Sequence, residues 1–405
     1  MQSNFIKLVT SNIFGRIAVG LNEYLFIVLA LNFSDNNLSA VAFLYFFRTI
    51  PYFVIGPLAG ELSDNLSKKR LIIAADLIRF TLTLIFAIVL MTNTQVSLLL
   101  LAIYGLIMGV FRSLYGVAYS SIIKALVSSD RQLQKANSYN LFSGELGLII
   151  GPLLAAVIYQ YSDSLWIVAL INATIYFVAA QFLTLIDYKD TSNAKFFTIV
   201  DITVSFFRIK FADFYKLSAL RQSNDVYYVV IYSSFCIMIV GAGIGVLIPI
   251  IAREIVDYSY VGYVMSSMSS GTLLGSFLLG RVNISPNIKN LYRGWAIYGA
   301  IMSIAFLIAK PNLLLLWTFG LGISGAVIDI LMPTIIQKTS SESNIGQNFS
   351  YFSTFANLGE AMSSIMVGGL LLAMNPEIAL TTCGTLVIVI SSVALFRYKI
   401  TLNRA

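Results

Sequence analysis

The chain has 405 residues, of which 58% are hydrophobic and only 11% charged. An ordinary soluble domain carries about 25% charge, and a soluble globule must keep about half of its exposed surface wettable. The composition therefore excludes a soluble enzyme, a disordered chain and a disulfide scaffold, and leaves a polytopic helical membrane protein.

The net charge of +7 is spread thinly between hydrophobic runs. That pattern sets membrane orientation and does not build a nucleic-acid surface. Cys236 and Cys383 fall inside apolar runs and read as small buried residues. The chain holds no histidine, which excludes a histidine metal site or proton relay. The first apolar run carries Arg16 and Glu23 and lacks a small-residue cleavage pattern, so no removable signal peptide is expected.

A spanning helix needs about 20 apolar residues. Twelve candidates follow in chain order: 12–33, 38–60, 71–92, 96–118, 136–160, 164–186, 226–250, 258–280, 292–309, 311–334, 346–374 and 378–397. The fifth and eleventh are rich in Ser, Asn and Gly, as suits helices that pack closely or face a cavity. With the N-terminus inside, 20 of the 26 basic residues fall in cytoplasmic segments and only Arg253 and Lys310 outside. This places both termini in the cytoplasm and favours an even helix count.

The longest polar interruption, Asp187 to Asp225, divides the chain into 1–188, 189–224 and 225–405. Within it Phe196, Phe197, Phe206, Phe207, Phe211 and Phe214 alternate with Lys and Arg. That composition predicts an amphipathic helix on the membrane surface, with a plain linker as the alternative. The outer segments read as diverged repeats. At an offset of 213, Ile122, Ile123, Ser128, Gln134 and Phe142 meet Ile335, Ile336, Ser341, Gln347 and Phe355. Repeats of this kind put a substrate site near the bilayer midplane.

Between the second and third spans stands Gly60-Glu61-Leu62-Ser63-Asp64-Asn65-Leu66-Ser67-Lys68-Lys69-Arg70. This resembles the signature loop of the major facilitator superfamily through Gly60, Asp64, Lys68 and Lys69. Asn65 and Ser67 depart from its pattern. The resemblance implies twelve transmembrane helices in two pseudo-symmetric six-helix bundles, an all-α membrane protein. It also implies that the loop gates the cytoplasmic side. In the fifth span Ser138, Gly147, Gly151-Pro152 and Ala155-Ala156 are similar to the family's antiporter motif, which is typical of exporters, with Ser138 in place of its first Gly and Ala-Ala in place of its usual Gly-Gly; ordinary small-residue packing is the alternative. In the fourth, Arg112-Ser113-Leu114-Tyr115-Gly116 is similar to an Arg-x-x-Gln-Gly motif linked there to proton transfer, with Tyr115 in place of Gln. The segment from Ser121-Ile122-Ile123 through Gln134-Lys135-Ala136-Asn137 to Gly151-Pro152 looks most like the macrolide-efflux and enterobactin-exporter branch.

Ionisable residues inside spans are costly, about 2.5 kcal/mol or more for arginine at a helix centre, and mark function by default. The first half holds Arg16, Glu23, Arg48, Arg112 and Glu145, and the second Asp329 and Glu360. Glu23 follows Gly20 and Asn22 near mid-helix and is the expected proton carrier, with Arg112 beside it in that role; a static ion pair and a snorkelling arginine are the alternatives. Arg16, Arg48, Glu145, Tyr115, Asp329 and Glu360 are the expected substrate contacts, because arginine binds carboxylates bidentately. Gly60, Asp64, Lys68, Lys69, Gly147, Gly151 and Pro152 are the expected gating positions.

No Gly-rich phosphate loop points to ATP, and no Cys/His cluster to a metal. No cofactor is expected beyond a proton gradient. The expected protein is a monomeric, proton-coupled exporter of an amphiphilic small molecule in a bacterial cytoplasmic membrane, not an enzyme. Its partners are the substrate, protons and the bilayer, with no nucleic acid. An exporter of an anionic metabolite such as a carboxylate siderophore is the alternative, and a transport-inactive sensor the remote one.

Overall fold

The computed structural model describes residues 2–34, 37–65, 67–92, 96–126, 130–187, 224–279, 281, 284–308, 310–340 and 345–404. The amphipathic helix expected within 189–224 lies outside the described residues. Every described element is a helix. The first six are α1 (Gln2–Phe33), α2 (Leu38–Asn65), α3 (Lys68–Thr92), α4 (Leu98–Leu126), α5 (Asp130–Ser162) and α6 (Leu165–Thr184). The seventh span is α7 (Asn224–Ala242), a π-helical turn (Gly243–Leu247) and α8 (Ile248–Ile255). Then come α9 (Tyr258–Leu279), α10 (Ile288–Ser303), α11 (Pro311–Thr339), α12 (Ile345–Leu371) and α13 (Pro376–Arg404).

Among the described residues, nine spans are long and apolar enough to cross a membrane. The other three expected crossings are α9, rich in serine, α10, which is only 16 residues, and α12. The surface is that of a protein in lipid. Met91, Leu99, Leu316 and Phe396 are each about two-thirds exposed, while Asn22, Arg48, Asp76 and Arg79 are buried. Lipid offers no partner for a polar group, so polar side chains turn inward.

The chain divides into two compact units, Met1–Asn36 with Phe47–Lys210 and Asn37–Phe46 with Phe211–Ala405. The first turns of α2 thus group with the second unit. The two units repeat a packing scheme. In the first, α1 packs on α5 and α3 on α6. In the second, α7 packs on α12 and α10 on α13. These are corresponding spans of the two halves.

Glycines allow the closest crossings, because a helix without Cβ lets another backbone approach. A Cβ on Gly151 of α5 would lie 2.6 Å from the Ile17 carbonyl oxygen of α1. One on Gly299 of α10 would lie 2.7 Å from the Gly384 oxygen of α13. The π turn has a local cause. Pro249 has no N–H and its ring would clash with the carbonyl four residues back, Gly245, so the helix widens there. Ser363 Oγ of α12 accepts the Ala242 N–H at 2.7 Å where the ladder is disturbed. Cys236 and Cys383 are free and buried, as their apolar settings predict.

The loop expected from Gly60 begins later than its motif suggests. α2 runs on to Asn65, so Gly60 and Asp64 belong to its last turns. Nothing in Glu61–Asn65 forces a break: there is no proline, and one glycine costs a helix only about 1 kcal/mol. The side chain of Asp64 lies outside the described residues.

Candidate functional site

The polar centre of the first unit is built on α1. Arg16 and Glu23 are seven residues apart, two turns, and share a face. Glu23 Oε1 accepts a hydrogen bond from Arg112 Nη1 of α4 and pairs with Arg48 Nη2 of α2. One carboxylate oxygen therefore holds two guanidinium groups from two helices. Glu23 and Arg48 are 14% and 5% exposed, Arg112 35%. Arg112 thus meets a partner inside the bundle. Arg48 lies 5.2 Å from the Phe26 ring centroid and Arg112 5.3 Å from that of Tyr52, distances at which an aromatic face stabilises a cation.

The local sequence explains the meeting. Gly105 and Gly109 leave one face of α4 smooth. A Cβ on Gly109 would come within 2.5 Å of the Arg48 carbonyl oxygen, and one on Gly105 within 2.6 Å of the Phe26 ring. Arg112 follows Gly109 by three residues, on the same face. The α4 backbone therefore lies against α2 where the arginine must reach α1. On the other side, Gly20 of α1 seats against Gly151 and Pro152 of α5, one turn before Glu23.

A second charge pair stands on α3. Asp76 and Arg79 are three residues apart, pair through Oδ1 and Nη2, and are 0% and 1% exposed. The expected inventory of intramembrane charges omitted this pair. Its signal was legible: an acid and a base at helical spacing inside an apolar run. A small cavity of about 10 Å³ lies between the groups, room for about one water. Asn22, Arg48, Tyr52, Arg79, Arg112 and Tyr176 line it. Asn22 Nδ2 donates to the Tyr104 hydroxyl at 2.5 Å, and that hydroxyl meets Thr83 Oγ1 at 3.2 Å.

The other expected residues lie elsewhere. Arg16 does not line the cavity and forms no ion pair among the described residues; Glu145 of α5 is within its electrostatic reach. Tyr115 is buried, stacked on Tyr119 at 5.6 Å, and its ring carries Arg79 at 4.6 Å. Asp329 and Glu360 belong to the second unit, Asp329 near Tyr298 and Glu360 against Gly241 of α7. Gly147 and Gly151 form the α1–α5 crossing, where a Cβ on Gly147 would run into the Arg16 backbone.

Lys69, expected as a gating residue, has a structural task. Its Nζ donates to the carbonyls of Thr184 at 3.0 Å and Ile186 at 2.5 Å, at the end of α6. Lys7 Nζ donates to Leu185 O at 2.9 Å. The last carbonyls of a helix lack partners and carry partial negative charge, so cations stabilise them. Lys69→Met should lower the thermal stability of the purified protein by about 1 kcal/mol, while Lys69→Arg should restore most of it. An unchanged unfolding temperature in the Met variant would discount the cap.

Residues 9–364 match the family profile of the Major Facilitator Superfamily. The chain belongs to that superfamily. It is a non-enzymatic membrane transporter with the fold of twelve helices in two halves. A Bacillus subtilis (strain 168) relative, the uncharacterized MFS-type transporter YfiS, is 24% identical over 366 residues, 88% of this chain and 84% of the relative. Three solved structures share the fold. The nucleoside transporter NupG matches with a TM-score of 0.70 at 15% identity over 98% of this chain and 99% of its own. A bacterial homologue of the drug peptide transporters PepT1 and PepT2 reaches 0.74 at 11%, covering 99% of both chains. A bacterial homologue of the iron transporter ferroportin in an inward-facing state reaches 0.74 at 13%, covering 98% and 99%. Their names cover nucleosides, peptides and iron, so the fold does not choose the cargo.

Proposed function

We propose that this transporter is a proton-coupled exporter of an amphiphilic small molecule, working by alternating access in a bacterial cytoplasmic membrane with both termini inside. The observation that carries the reading is the Glu23 oxygen shared by Arg48 and Arg112. A proton on Glu23 removes the one negative charge between two guanidinium groups. They then repel, and α2 and α4 lose their common anchor on α1. α1 in turn rests on α5 through Gly20, Gly147 and Gly151. Protonation therefore acts on the helix whose small residues and Pro152 resemble an exporter motif. Expulsion of the proton by an incoming substrate restores the anchor, which is the logic of antiport.

The second reading, export of an anionic metabolite, is favoured by the cavity, whose wall presents Arg48, Arg79 and Arg112. The test uses the full chain in proteoliposomes with a pH-sensitive dye inside. A proton gradient is imposed and lipophilic cations or polycarboxylates such as citrate are added. Proton movement with the cations supports a drug antiporter whose arginines are structural. Movement with polycarboxylates alone supports the anion exporter. Uptake of any probe that leaves the internal pH unchanged would remove proton coupling.

A further inference from the structure

We infer that Asp76 is a second proton-binding site of the first unit, working beside Glu23 through Arg79. The inference rests on the reading of this unit as proton-coupled and adds a carboxyl group to it. Asp76 is wholly buried, yet among the described residues its Oδ2 accepts no hydrogen bond. A buried carboxylate that is only half satisfied keeps much of its desolvation cost. Glu23 differs, because two guanidinium groups compensate its charge. Of the two acids, Asp76 therefore gains more from taking a proton.

The surroundings make the protonated state tolerable. Once Asp76 is neutral, the buried Arg79 loses its counter-charge. Its guanidinium lies 4.6 Å from the Tyr115 ring centroid and 4.9 Å from that of Tyr176. Two aromatic faces can hold a cation that has lost its carboxylate. Arg79 Nε also donates to Ala75 O at 3.3 Å, which fixes the side chain independently of Asp76. The charged and titratable groups around the pair are Tyr115 and Arg112 on α4 and Tyr176 on α6, the two helices that pack on α3, with Arg16 of α1 within electrostatic reach of Arg79. The proton on Oδ2 thus leaves one uncompensated cation, and Arg79 already stands in the wall of the water-sized cavity with Arg48 and Arg112. Proton binding at Asp76 raises by one the positive charge facing that cavity. A transporter with both acids active moves a second proton per cycle.

Infrared difference spectroscopy on the full chain in liposomes, between acid and alkaline buffer, reads protonated carboxyl groups directly and needs no substrate. Aspartate labelled with carbon-13 at its carboxyl shifts aspartate bands and leaves glutamate bands in place. The expected result is an aspartate component in the wild type that survives Glu23→Gln and Asp329→Asn and is lost in Asp76→Asn. If Asp76→Asn does not fold, Asp76→Asn/Arg79→Gln removes both charges together, which buried pairs tolerate better than loss of one partner. No aspartate component in the labelled wild type would overturn the inference. So would one that persists in the Asp76 variants. An aspartate component without a glutamate one upholds Asp76 and removes Glu23 from the coupling, so the two readings fail separately.

Discussion

Glu23→Gln is expected to reduce proton-driven transport to background while the protein still reaches the membrane. Gln keeps the shape and one acceptor oxygen but not the charge. Arg48 and Arg112 then face each other in the first unit without the carboxylate charge between them. Removing one partner of a buried ion pair costs about 3–5 kcal/mol. The lower end applies here, because Arg112 is 35% exposed and can turn toward water. Dye-reported proton flux and thermal unfolding measure the two effects separately. A stable Glu23→Gln protein with no proton flux identifies Glu23 as a carrier. A destabilised one with normal gradient-driven flux makes the cluster a structural ion pair. Glu23→Asp keeps the charge but is one methylene shorter, so it should reach one arginine well and the other poorly, with intermediate flux.

Gly151→Ala is expected to be among the most damaging single methyl groups in the first unit, with additions at Gly147 and Gly20 of the same crossing. Its Cβ would lie 2.6 Å from Ile17 O and 2.7 Å from the Cα of Gly20. Both are backbone atoms, which cannot swing aside as a flexible side chain can. α1 would have to lift from α5, at a cost of about 1–3 kcal/mol or more. The displacement falls one turn from Glu23 and pulls its carboxylate from both arginines. Loss of transport with a lowered unfolding temperature is the expected outcome. Gly144, on the same helix, has nothing within 4 Å of its added Cβ, so Gly144→Ala should stay within about 0.5 kcal/mol of wild type. Equal behaviour of the two variants would mean that the α1–α5 crossing is looser than the structure describes.

Some of the site was legible in the chain. Glu23, Arg48 and Arg112 stood out because a charge inside an apolar run is expensive wherever its partner is. Asp76 and Arg79 are equally visible in the chain, since their spacing puts them on one helix face. The place of Arg16 was misleading in another way. It sits on the Glu23 face of α1, but two turns, about 10 Å, separate them, and the cavity takes Arg79 as its third arginine. The motif offers Lys69 as a gating residue, and only the structure adds that its hydrogen bonds run to the end of α6.

The sequence by itself determined the membrane class, the succession of spans and the superfamily. Each depends on composition summed over about 20 residues or on a short motif, and such sums do not need the neighbours. Only the tertiary structure decided which base meets which acid. That depends on how each helix is rotated and how closely it approaches the next. Gly105 and Gly109 bring α4 onto α2, and Gly20 and Gly151 bring α1 onto α5. A shift of an ångström or two in either crossing would part Glu23 from its arginines, and no local pattern in the chain encodes that distance.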